Sequence, residues 1–127
     1  MADKKTTPLN MGPKSKQVTV KMTSELKLNL PKSILNEGYN MREKSKWVVE
    51  AVKSLLSNND WEGALLSEVL VRPDTKDVFR IPSDVLATIN KEAARVSMDH
   101  PSLRANQSTI IRAAINRRLL GFYIESA

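Results

Sequence analysis

Ser45-Lys46-Trp47-Val48-Val49-Glu50-Ala51-Val52 and Ser108-Thr109-Ile110-Ile111-Arg112-Ala113-Ala114-Ile115 align without a gap, 63 positions apart (45 to 108). In each, a hydroxyl suited to capping a helix precedes apolar residues at helical spacing. Upstream of each lies a short stretch in which polar and apolar residues alternate: Gln17-Val18-Thr19-Val20-Lys21-Met22, then Lys76-Asp77-Val78-Phe79-Arg80-Ile81. A period of two predicts a half-buried strand. The chain therefore predicts a strand, a helix and a second capped helix, in that order, twice.

In the first half, Val18, Val20 and Met22 form the inward face and Gln17, Thr19 and Lys21 the outward one. Two readings of the next stretch stand. Thr23-Ser24-Glu25 suits a helix start, but Pro31 would then lie inside the helix at a cost of roughly 3 kcal/mol. The preferred reading leaves Ser24 to Leu30 irregular and puts Pro31 at the first helical position. The other takes Lys27-Leu28-Asn29-Leu30 as the strand. The helix ends near Gly38-Tyr39-Asn40. The next one runs from Ser45 to about Ser57, with Val48, Ala51, Val52, Leu55 and Leu56 on one stripe, and Asn58-Asn59-Asp60 stops it. In the connector, Trp61, Leu65 and Leu66 share a short helix packed on the core, and Pro73-Asp74 marks a turn.

In the second half, Ser83-Asp84 caps a helix carrying Val85, Leu86, Ile89, Ala93 and Val96. His100-Pro101 breaks it. Asn106 or Ser108 caps the last helix, whose stripe is Ile111, Ala114, Ile115 and Leu119 and whose stop signal is Gly121. Leu55 aligns with Arg118, so the halves are similar rather than interchangeable. The expected organisation is a flexible basic tail (1–16), a first unit (17–57), a connector (58–75), a second unit (76–121) and a C-terminal tail (122–127).

Composition bounds the class. Aromatics are 5% of the 127 residues, so the core is built from Leu, Ile, Val and Ala. A net charge of +6 and a pI near 9.7 favour polyanions, nucleic acid first and anionic membrane second. Lys4, Lys5, Lys14 and Lys16 against Asp3 give the N-terminal arm a basic character suited to tracking phosphates. Without cysteine there is no disulfide, thiolate metal site or Cys nucleophile. No apolar run reaches membrane-spanning length and no signal-peptide core opens the chain, so a cytoplasmic protein without membrane association is expected.

The strand–helix–helix order, with Val18 to Met22 and Phe79 to Pro82 as ribbon and Glu37-Gly38-Tyr39-Asn40 before Ser45, resembles the ribbon-helix-helix (Arc and methionine-repressor) superfamily. Two motifs in one chain resemble the tandem single-chain form found among accessory proteins of conjugative relaxosomes and T-DNA border processing. The resemblance implies a mainly α fold with a short two-stranded antiparallel β-ribbon, arranged as a tandem pseudo-dimer. It also implies sequence-specific double-stranded DNA binding, as a transcriptional repressor or a relaxosome-type accessory protein. A relaxase, or further copies on adjacent sites, would be the protein partners of that class. The alternative is an antitoxin-like protein-interaction module using its basic surface on an acidic partner.

The physics agrees with that resemblance. One strand and two short helices cannot bury a core alone, so two such units must interlock. A two-stranded ribbon fits the major groove. Its outward face would carry Gln17, Thr19 and Lys21 from one strand and Lys76, Val78 and Arg80 from the other, as base contacts. The starts of the second helices, with free N–H groups and positive dipole ends, would hold phosphates through Arg42, Lys44, Ser45 and Lys46 on one side and Arg104, Asn106, Gln107 and Ser108 on the other, with Arg112 flanking. No enzymatic role, cofactor or metal is expected: His100 is the only histidine and has no second ligand of its kind.

Overall fold

The computed structural model describes residues 14–126, with side chains through Gly121. Most of the basic tail therefore lies outside the described residues. Among these residues are two strands, four α-helices and three 3-10 turns. In chain order they are β1 (Ser15–Met22), α1 (Ser24–Asn36), a turn at Met41–Glu43, α2 (Lys44–Leu56), a longer 3-10 segment Trp61–Glu68, β2 (Thr75–Pro82), α3 (Ser83–Asp99), a turn at Pro101–Leu103, and α4 (Gln107–Ser126). The fold is mainly helical with one two-stranded antiparallel sheet. Ser15 and Lys16, assigned by sequence to the tail, already belong to β1.

Alternation dictates the ribbon. Val18, Val20 and Met22 are buried in β1, and Phe79 and Ile81 in β2. The strands pair in one register, with Gln17 opposite Arg80, Thr19 opposite Val78 and Lys21 opposite Lys76. The inner face rests on a core closed by all four helices, in which α2 and α4 pack on each other. α2 buries Trp47, Val48, Val49, Ala51, Val52 and Leu55. α4 buries Ile110 through Ile115, including Arg112.

Pro31 lies inside α1, not at its start, and Lys27 to Leu30 is helical rather than extended. The lost backbone bond and ring clash cost about 3 kcal/mol. Against this, Leu26, Leu30 and Ile34 are buried on one stripe, each contributing about 1.5–3 kcal/mol. Burial wins. The helix start is also well held. Thr23 Oγ1 accepts the Leu26 N–H at 3.2 Å, and the Asp74 carboxylate accepts the Ser24 N–H and hydroxyl at 2.7 and 2.9 Å. Those Ser24 donors hold the Asp74 carboxyl below its usual range. A depressed pKa stabilises the fold above the ordinary carboxylate range, and that contribution is lost as pH falls through the lowered value. At the far end Gly38 takes φ +89°, its N–H donates to Leu35 O and the Tyr39 N–H to Ile34 O. This paired closure requires a left-handed residue.

Other expectations are corrected. α3 follows directly from Pro82 without a side-chain cap from Ser83 or Asp84, and the Ser83 N–H donates to Lys14 O at 2.6 Å. Gly121 does not end α4, which continues to Ser126 through what was expected to be a tail; Gly121 does not adopt the left-handed turn that Gly38 does. In the connector Trp61 and Leu65 are buried as expected, but Leu66 is exposed. A 3-10 repeat of three puts Glu68, not Leu66, on the side of Leu65.

Glu68 is the inward acid of the connector. Its carboxylate accepts Arg112 Nε at 2.8 Å and Asn116 Nδ2 at 3.0 Å, and both charged side chains are almost wholly buried. Arg112 Nη1 donates onward to Lys21 O at 2.7 Å. Breaking such a pair leaves one buried charge uncompensated, whereas replacing both partners by apolar groups is far less harmful. Glu68→Leu or Arg112→Met alone should therefore lower stability by about 3–5 kcal/mol in urea denaturation. The double variant Glu68→Leu with Arg112→Met should recover most of that loss. Additive losses would show that the pair is not the seat of the effect.

Candidate nucleic-acid interface

The exposed face of the ribbon is a set of three directly opposed pairs: Gln17 with Arg80, Thr19 with Val78, and Lys21 with Lys76. All six side chains are exposed. Three are cationic and no carboxylate shares the face. Asp77, the one acid in the ribbon, belongs to the opposite face and pairs with Lys44 at 2.9 Å. Lys21 and Lys76 stand directly across from each other, an arrangement that destabilises a ribbon on its own. Ser15 extends the face, its hydroxyl accepting Arg80 Nε at 3.3 Å; placing it in the tail concealed it.

The two serines that mark the sequence repeat do not cap their helices. α2 has no side-chain cap. Its lead-in turn is capped instead by Asn40, whose Oδ1 accepts the Arg42 N–H while Glu43 Oε1 accepts the Asn40 N–H. Because this turn brings the helix in at Lys44, Ser45 already lies within the first turn. Its hydroxyl accepts the Arg80 N–H of β2 at 2.9 Å. Ser108 does the same on the other side, accepting the Lys21 N–H of β1 at 3.4 Å, while Asn106 and Thr109 cap α4 reciprocally. An isolated two-stranded ribbon has unpaired N–H groups on both outer edges. The serines satisfy one on each edge and fix both helix starts beside the exposed face.

The flanking residues divide by what already occupies them. Arg42, Lys46 and Arg104 are exposed; Lys46 approaches Glu43 only at 3.9 Å, and Arg104 sits at φ 51° in the turn before α4. Lys44 is half-buried, tied to Asp77 and lying over the Phe79 ring at 5.0 Å. Asn106 is engaged in the α4 cap, and Gln107 Nε2 donates to Asn90 Oδ1 at 3.2 Å. Arg112 does not flank an anion site: it is buried on Glu68. Arg118 also turns inward, donating to Glu37 Oε1 and Trp47 O and stacking 4.5 Å over the Trp47 ring. Lys21, Pro73, Asn106, Gln107, Ser108, Thr109 and Arg112 line a shallow hollow of about 360 Å³ at the α4 start.

These contacts separate bracing from capping. Ser45→Ala and Ser108→Ala should each cost about 1 kcal/mol, the net value of one hydrogen bond. Amide hydrogen exchange should speed up at Arg80 in the first variant and at Lys21 in the second. Faster exchange confined to the first turns of α2 and α4 would restore the capping role. The chain matches no protein-family profile, no curated protein and no solved structure.

Proposed function

We propose that this chain is a non-enzymatic, sequence-specific double-stranded DNA-binding protein. It would be built as a tandem ribbon-helix-helix pseudo-dimer that inserts its β-ribbon in the major groove. Gln17, Thr19, Lys21, Lys76, Val78 and Arg80 would read base edges, where each base pair offers a distinct pattern of donors and acceptors. Arg42, Lys46 and Arg104, with the N–H groups at the starts of α2 and α4, would hold phosphates on either side. In a cell this mechanism serves a transcriptional regulator or an accessory protein of conjugative DNA processing.

The observation that carries the proposal is the exposed ribbon face itself. Six side chains with groove-reading chemistry are arrayed in three pairs, without an acid, on a strand pair whose other face buries Val18, Val20, Met22, Phe79 and Ile81. The Lys21–Lys76 juxtaposition adds weight, because a polyanion relieves a repulsion that the ribbon alone must bear. The surplus of +6 charges supports the same partner.

A binding selection on random duplexes, followed by titrations across a salt series, tests it. Lys21→Ala and Arg80→Ala should each reduce discrimination between the selected site and random duplex by about 1–3 kcal/mol with little change in melting temperature. Lys46→Ala and Arg104→Ala should weaken binding to every duplex and reduce the salt slope by about one each. Recovery of no enriched sequence would overturn base reading, and salt-independent binding would overturn the phosphate clamp.

A further inference from the structure

We infer that the ribbon recognises its duplex in one direction: the DNA site has unlike halves, and the chain seats on it in a single orientation. This rests on the ribbon reading proposed above. A directly opposed pair in an antiparallel ribbon defines a local two-fold axis, here passing between Thr19 and Val78. Half a turn about that axis exchanges the two ends of the exposed face. One end carries Lys21 beside Lys76, and the other carries Arg80 beside Gln17. The rotation maps Lys21 onto Arg80, both of which suit the O6 and N7 acceptors of guanine. It maps Lys76 onto Gln17, and these differ in kind. Lysine is a donor only, whereas glutamine both accepts from N6 and donates to N7 of adenine.

The expected site therefore has a guanine read by Lys21 in one half and by Arg80 in the other. The second contact differs: guanine for Lys76, adenine for Gln17. At the centre, the Thr19 and Val78 methyl groups suit thymine methyls. Binding in reverse would set Gln17 against guanine and Lys76 against the adenine N6 donor, losing both contacts. The backbone is asymmetric in the same sense. Lys21 is held at its N–H by Ser108 and at its carbonyl by Arg112, whereas position 49 of α2, which aligns with Arg112, is Val49. The arm at the Lys21–Lys76 end is thus anchored by an additional ion pair from the connector.

The absence of cysteine makes the test direct. Met41, exposed and four residues before Ser45, lies on the side of the ribbon that Ser45 joins at Arg80. A DNA-cleaving iron chelate on Met41→Cys should cut one flank of the site selected from random duplexes in excess of the other by about thirtyfold or more, the value of the two contacts that reversal loses. Lys76→Gln makes both ends a basic residue beside a glutamine. In that background the selected site should become a near-palindrome with adenine in both halves, and cutting should be equal on both flanks. A wild-type palindrome cut equally on both flanks would overturn directionality while leaving base reading intact. One-sided cutting that persists in Lys76→Gln would overturn the assignment of direction to the Gln17–Lys76 difference. A selection that enriches no sequence would overturn the ribbon reading itself, and this inference with it.

Discussion

The pairing of β1 with β2 is the constraint on which everything else depends. The strands are separated by α1, α2 and the connector, so no tight turn sets their register. It is set by burial. Moving either strand by one residue would carry Val18, Val20 and Met22, or Phe79 and Ile81, into water and bring lysines inward. Two strands alone are marginal in water. The inner face must therefore be covered, and each half supplies two helices for that purpose. The other face, with Gln17, Thr19, Lys21, Lys76, Val78 and Arg80, is left exposed.

Long-range polar contacts then hold the outer edges. Ser45 and Ser108 each accept an N–H from the strand of the other half. Lys27 Nζ donates to Lys76 O at 2.8 Å, and Arg112 to Lys21 O. Asp74 fastens the start of α1 to the lead into β2. None of these is a surface ion pair of small value. The two serines, Lys27 and Arg112 satisfy backbone groups that the ribbon would otherwise leave unpaired, and Asp74 satisfies one at the start of α1; together they fix the helix starts relative to the face between them.

The parts of this architecture legible in the sequence are those governed by local periodicity. Alternation in 17–22 and 76–81 gave the strand faces, and the 3.6-residue period gave the stripes of α2 and α3. The six outward residues stand on one face because antiparallel partners share a side. What sequence left hidden depends on partners far away along the chain. Arg112 looked like a surface cation because Glu68 is 44 positions distant. Pro31 looked like a helix start because the burial of Leu30 and Ile34 that outweighs it is tertiary. Ser45 and Ser108 stand out as a pair in the sequence, but their acceptor role depends on strand N–H groups that no local pattern reveals.

The two offsets in the repeat have one physical source. Across the strands and first helices, equivalent positions lie 59 apart, as Lys21 and Arg80 do, or Leu30 and Ile89. Across the second helices they lie 63 apart, as Ser45 and Ser108 do. The four-residue difference is the difference between α1, with 13 residues, and α3, with 17. Four residues are close to one helical turn, so the longer α3 keeps the same face on the core and adds Val96 to its buried set. An addition of two residues would have rotated the chain exit to the far side of the helix. One turn preserves the direction in which the chain leaves, and Ser108 can still meet β1 as Ser45 meets β2. The ungapped match of the second helices and the shifted match of the strands thus both follow from the extra turn of α3.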